Sequence, residues 1–173
     1  RQPAAGAVVI RHAGLVALRL AGRWRGALLE GPSGAGKSDL ALRAMEAGFR
    51  LAADDRVVVW RSGDALYGRA PEPLDGWIES RGQGLLQVIP LRLAEISVAV
   101  TCIPLGQALE RLPDPSVESS GGVSIPRLML NAFEPAAPAK LRRVLEHLGS
   151  AARRGYHTDP LGGPRRAGTG ETP

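Results

Sequence analysis

The stretch Gly26-Ala27-Leu28-Leu29-Glu30-Gly31-Pro32-Ser33-Gly34-Ala35-Gly36-Lys37-Ser38-Asp39-Leu40-Ala41-Leu42 decides how this chain folds. Gly26 to Leu29 reads as a short apolar strand, and Gly31 to Ser38 fits the pattern G-x-x-x-x-G-K-[ST]. Beyond Lys37, Leu40, Ala44 and Ala47 recur at helical spacing, and Ala41 and Met45 widen the stripe. Gly48 stands where a left-handed cap would end that helix. Strand, glycine loop and helix are the parts of a phosphate cradle. The glycines let backbone N–H groups turn inward toward phosphate oxygens, and the helix adds the positive end of its dipole. Lys37 supplies a mobile cation and the Ser38 hydroxyl a ligand for Mg²⁺. Gly31, Pro32, Ser33, Gly34, Ala35, Gly36, Lys37, Ser38 and Asp39 are therefore the expected nucleotide-binding residues, with ATP and Mg²⁺ the expected ligands. A chance glycine-rich turn is the competing reading, and the flanking strand and helix speak against it.

Working outward toward the N-terminus, Val8 to Ile10 and Leu15 to Leu18 read as strands, and Arg19 to Arg25 as a polar connection. On the other side, Phe49 to Ala53 reads as a strand ending on Asp54-Asp55. Val57 to Trp60 follows, and Ser62-Gly63-Asp64 turns the chain into Ala65 to Tyr67 as a hairpin. Residues 68–76 read as a loop, Leu85 to Ile89 and Ile96 to Thr101 as strands, and 104–126 as loop because prolines and Gly121-Gly122 break any pattern. A last helix starts at Pro138, carries Leu141, Val144, Leu145 and Leu148 on one face, and stops at Gly149. The fold class is α/β, a mixed sheet flanked by helices. The expected division is a catalytic domain over 1–150 and a flexible, basic, Gly/Pro-rich tail over 151–173.

Composition narrows the function classes. The 173 residues are 44% hydrophobic and 23% charged, enough for a real core, but only 4% aromatic, so aliphatic residues must fill it. No apolar run approaches the roughly 20 residues of a membrane helix, and residues 1–30 show no secretory pattern, so a soluble cytoplasmic protein without a membrane partner is expected. The single cysteine, Cys102, excludes an internal disulfide or a multi-cysteine zinc site. The net charge of +5 raises nucleic acid as a partner. Part of it sits in the tail as Arg153, Arg154, Arg165 and Arg166, and no basic stripe interleaves with aromatics, so no nucleic-acid partner is expected.

A phosphate loop needs a group to prepare the nucleophile and usually another acid for the metal. Asp54-Asp55 follows the loop by one helix and one strand, and adjacent strands would bring it to the phosphates. The pair is a candidate base, or else a strand-end turn. His12 stands between two strands as either a solvated or an active-centre residue, whereas His147 and His157 read as surface groups. Glu79, in Ile78-Glu79-Ser80-Arg81-Gly82-Gln83-Gly84, fits a metal ligand or an exposed ion pair.

Taken together, His12, GPSGAGKSDLAL, GFRLAADDRV and IESRGQGLL resemble the HPr kinase/phosphorylase family over about residues 8–150, in the short form comprising the kinase domain alone. The resemblance implies a P-loop core similar to phosphoenolpyruvate carboxykinase, commonly a homo-hexamer, that phosphorylates a serine of HPr or an HPr-like phosphocarrier. By position, Asp54 matches the proton acceptor with Asp55 in support, and His12 and Lys37 match the active centre. Ser38 and Glu79 match the metal ligands, Arg81 a phosphate-placing residue, and Arg111 loosely a further active-site arginine. Three departures stand out. Gln83 replaces a leucine of the signature, Asp39 replaces a frequent glutamate, and Ile125 to Asn131 stands where a P-x-R-P-G-R-N segment associated with phosphorolysis would be. The short length, the missing segment and Gln83 keep open a catalytically weak nucleotide-binding sensor, and the P-loop with its carboxykinase-like core keeps open a small-molecule kinase.

Overall fold

In the computed structural model, which describes residues 8–111 and 113–154, the sheet grows from the strand before the glycine loop. Four strands open the chain's regular structure around one helix: β1 (Val9–His12), β2 (Gly14–Leu20), β3 (Arg23–Glu30), α1 (Lys37–Glu46) and β4 (Arg50–Ala53). Then come β5 (Arg56–Ser62), β6 (Ala65–Arg69), a short 3₁₀ turn (Glu72–Leu74), β7 (Trp77–Ser80), β8 (Gly84–Gln87), β9 (Ala94–Cys102), β10 (Ser116–Ser120), β11 (Val123–Leu130) and α2 (Ala137–Arg154). The main sheet runs β1-β5-β6-β9-β3-β2-β4. β9 is parallel to β3 along its length, antiparallel to β6 at its start and parallel to β11 at its end. The expected mixed α/β sheet is present.

Alternation along the strands fills both faces. Val16 and Leu18 of β2, Ala27 and Leu29 of β3, and Val98, Val100 and Cys102 of β9 face the helices, meeting Leu40, Ala41 and Ala44 of α1 and Leu141 and Leu145 of α2. Leu15, Ala17, Leu28, Val57, Val59 and Leu66 fill the opposite face. A bulge between Ile96 and Val98 in β9 lets Ile96 belong to the second face and Val98 to the first. The second face is tight. A Cβ at Gly68 would lie 2.7 Å from Leu15 Cδ2, so small residues are used where the sheet curls and β4 comes against β6.

Several expectations are corrected. Arg19 to Arg25 is no connection: β2 and β3 pair fully, joined by Ala21-Gly22 alone, both at positive φ as a type I′ turn requires. Residues 77–80, to which the sequence assigned no element, form a strand that pairs with β8, and 116–130, expected in part as loop, form a hairpin turning at Gly121-Gly122, again both at positive φ. The exposed, polar β10 lacks an apolar alternation, and Pro126 stands where β11 faces only β10, before its pairing with β9 begins at Arg127. α2 runs through Gly149 to Arg154, because one helical glycine costs only about 1 kcal/mol and Ala151 and Ala152 favour the helix. The expected tail therefore loses its first four residues to α2, and its remainder lies outside the described residues. Gly48 does cap α1. Its N–H donates to Met45 O and that of Phe49 to Ala44 O, with Gly48 at φ 94.

Candidate active site

The glycine loop leaves β3 against the end of β9. A Cβ at Gly31, at φ 141, would lie 2.4 Å from the Cys102 carbonyl oxygen, so only glycine passes there. The loop closes on itself through Ala35 N–H to Pro32 O and enters α1 with Gly36 in a left-handed conformation. Lys37 is 8% exposed, and its Nζ donates to Gly31 O at 2.9 Å and Pro32 O at 3.1 Å. The lysine charge is thereby held against the backbone carbonyls of the loop.

β4 delivers the acidic pair, though not as an adjacent strand, since β2 lies between β3 and β4. Asp54 and Asp55 point into different environments. Asp54 is 5% exposed. Its carboxylate accepts the Ser38 hydroxyl at 2.9 and 3.1 Å and the Glu79 backbone N–H at 3.0 Å. Burial pushes its pKa above the ordinary aspartate value, against the hydrogen bonds from Glu79, Ser38 and Asp55, while the neighbouring Asp55 charge pushes the same way as burial. Asp55 adopts φ 64, which swings its side chain the other way, and Oδ1 meets His12 Nε2 at 3.0 Å. Both of these side chains are more than half exposed. Ala13 N–H donates to Asp55 O, tying the end of β1 to the same turn.

The hairpin of β7 and β8 brings the third wall. Glu79 faces outward on β7, and Ile78 is buried beneath it. Gln83, the departure from the signature, closes the hairpin turn. Its side-chain Oε1 accepts from Ser80 Oγ at 2.7 Å and its N–H donates to Ser80 O.

These walls enclose one cleft of about 290 Å³. His12, Ser33, Gly34, Gly36, Lys37, Ser38, Asp39, Asp55, Glu79 and Arg81 line it, all of them named from the sequence. Gly31, Pro32 and Ala35 shape the loop without lining the cleft, and Asp54 lies behind Ser38. Asp39 is exposed, and its carboxylate is bridged by Arg43 Nη2 at 2.7 Å. Arg111 is not brought to the cleft. It lies exposed in the segment before β10, whose Glu110 and Pro113 border a separate apolar groove against α2. Leu42, Ser80 and Phe133 also line the cleft and were missed. Ser80 stood inside the quoted signature, but Phe133 follows β11 in a turn with no periodicity to mark it.

The family model of the HPr Serine kinase C-terminal domain matches residues 10–104, and the chain belongs to that family. HPr kinase/phosphorylase of Streptococcus equi subsp. zooepidemicus is 30% identical over 148 residues, which cover 79% of this chain and 46% of that protein. HPr kinase/phosphorylase of Lactiplantibacillus plantarum is 34% identical over 141 residues, covering 79% of this chain and 45% of that protein. The chain thus spans about half the length of these relatives. The structure of the Hpr(Ser) kinase/phosphatase from Coxiella burnetii superposes with a TM-score of 0.68 at 20% identity, covering 86% of this chain and 98% of that one, and so shares the fold.

Proposed function

We propose that this chain is the catalytic domain of an ATP-dependent kinase that phosphorylates a serine of HPr or an HPr-like phosphocarrier in the cytoplasm, built on a P-loop core similar to phosphoenolpyruvate carboxykinase. The observation that carries the reading is the convergence, in one cleft, of the glycine loop with Lys37, the Ser38–Asp54 pair and the His12–Asp55 pair. The catalytic unit runs to the end of α2, and assembly as a homo-hexamer is expected from the resemblance.

The roles follow from the surroundings of each side chain. The loop amides and Lys37 bind and orient the polyphosphate, and such positioning supplies most of what phosphoryl transfer needs. Ser38 and Glu79 line the cleft as hard oxygen donors that fit Mg²⁺, which takes one or two protein carboxylates together with substrate oxygens, and Asp54 accepts the Ser38 proton and so turns the hydroxyl's lone pairs outward. Bound there, Mg²⁺ neutralises phosphate charge. Among the described residues no cluster of three or more His, Cys, Asp or Glu forms a denser metal site. The resemblance gave the proton-accepting role to Asp54, and the geometry favours Asp55. Asp54 is enclosed, with its oxygens engaged by Ser38 and Glu79, whereas Asp55 opens on the cleft with His12 orienting it. A base must reach the hydroxyl it deprotonates, and Asp55 is the member of the pair that can.

Arg127, in the segment that replaces the phosphorolysis motif, is occupied elsewhere. It bridges Glu30 and Glu118 and donates to Thr101 Oγ1. The reading is therefore confined to transfer from ATP. Incubation with γ-labelled ATP, Mg²⁺ and the phosphocarrier of the same organism should label one serine. Labelling of a metabolite instead, or ATP binding with no transfer to any acceptor, would overturn it.

A further inference from the structure

Aromatic rings are scarce in this chain, and the other phenylalanine, Phe49, is buried in the core. Phe133 is 40% exposed and lines the cleft beside the glycine loop. Its edge is fitted to that loop. A Cβ at Gly36 would lie 2.9 Å from Phe133 Cζ and 3.1 Å from Cε1. The ring's backbone is held firmly on both sides. Phe133 N–H donates to Asn131 Oδ1, and Arg43 grips the carbonyls of Ala132 and Glu134 while itself bridged to Asp39 of α1. No described ring or guanidinium stacks on the Phe133 face. The turn that carries it lies beyond the stretch matched by the family model.

We infer that Phe133 is the platform on which the base of the bound nucleoside triphosphate stacks, the phosphates lying on the loop beside its edge. This rests on the nucleotide reading above. An exposed phenyl ring costs hydration free energy, and a rigid turn that keeps it at the mouth of a phosphate cradle suits a flat apolar partner. The cleft's other lining is mostly polar or charged, with Lys37, Asp55, Glu79 and Arg81 among it, and Phe133 supplies its aromatic surface. Every base has a π-face, so stacking tolerates base identity. The site accordingly takes purine nucleotides with little discrimination between ATP and GTP.

The test compares binding of ATP, GTP and inorganic tripolyphosphate, with Mg²⁺, to the wild-type chain and to Phe133→Ala and Phe133→Trp, by calorimetry. Phe133→Ala should weaken ATP and GTP by about 5–150-fold, the usual loss for one stacked base, and leave tripolyphosphate within about twofold. Phe133→Trp should restore nucleotide binding. Equal losses for ATP and tripolyphosphate would overturn the platform and make Phe133 a support of the loop. Unchanged nucleotide binding with a raised KM for the protein acceptor would overturn it in favour of acceptor docking. A wild-type chain that binds no tripolyphosphate would instead sink the phosphate-loop reading beneath it, so the two failures are distinguishable.

Discussion

Replacing Asp55 by asparagine separates the two neighbouring carboxylates more cleanly than any other change. Asparagine is among the few residues that tolerate a left-handed backbone, so φ 64 at position 55 is retained. Its amide can still hydrogen-bond His12 Nε2, which stands 3.0 Å from Asp55 Oδ1. The side chain is more than half exposed, so folding stability should change by less than about 0.5 kcal/mol. What the variant loses is the ability to accept a proton, and a positioned base contributes ~10²–10⁴-fold in rate. That range corresponds to roughly 3–5 kcal/mol of barrier. The expected result is a kcat lowered by that factor with KM for ATP within about twofold, because no nucleotide contact is assigned to Asp55. Asp54→Asn should differ in kind. By weakening the Ser38–carboxylate pair it should raise the Mg²⁺ concentration needed for half-maximal rate, an effect absent from Asp55→Asn. The assay is initial-rate phosphotransfer across ATP and Mg²⁺ concentrations, with thermal unfolding of each variant alongside. An Asp55→Asn chain that keeps more than about a tenth of the wild-type rate would refute the assignment and return the proton to Asp54.

The remaining expectations test the supports of the cleft. The folded-state pKa of Asp54 lies above its unfolded value, so the native state holds the extra proton, and stability is lost as pH rises through that folded value. In Mg²⁺-free buffer the melting temperature of Asp54→Asn relative to wild type should therefore improve from pH 4 to pH 7, and a pH-independent difference would contradict the burial argument. Glu79→Gln should preserve nucleotide binding and raise the Mg²⁺ requirement, since an amide is a poorer ligand for a hard cation; an unchanged Mg²⁺ titration would remove Glu79 from the metal site. Gly31→Ala forces a Cβ within 2.4 Å of the Cys102 carbonyl oxygen at a strained φ of 141, and about 2–5 kcal/mol should be lost in urea unfolding. A loss under about 1 kcal/mol would mean that the loop relaxes away from β9.

The loop and helix were legible because their requirements are local. A run of amides turned inward needs glycines at fixed places, and α1 needs its Leu40, Ala41 and Ala44 stripe. The acidic pair was legible as a strand end, but the division of labour within it was not. Adjacent residues of identical chemistry are told apart only by the φ of 64 that turns Asp55 toward His12. β10 and β11 were hidden for a different reason. Their burial is slight, Pro126 reads as a breaker, and their hold on the sheet comes from parallel pairing with β9 and from Glu118 gripping Arg11 and Arg127. Phe133 was invisible because its role depends on Gly36, almost a hundred residues earlier, leaving room for its edge.

The placement of β9 governs how the molecule is built in time. To one side of it lie β6, β5 and β1, and to the other β3, β2 and β4, all of them earlier in the chain. β9 is made after all of them and is the rung that unites them, and the chain crosses from one set to the other at Ala13 and again at the Asp54-Asp55 turn. Until β9 docks, the β5–β6 hairpin and the strand that leads into the glycine loop have no sheet pairing to connect them. Non-local pairing of this kind is slow to form. The walls of the cleft are thus brought together late during synthesis, once the chain through Cys102 has left the ribosome.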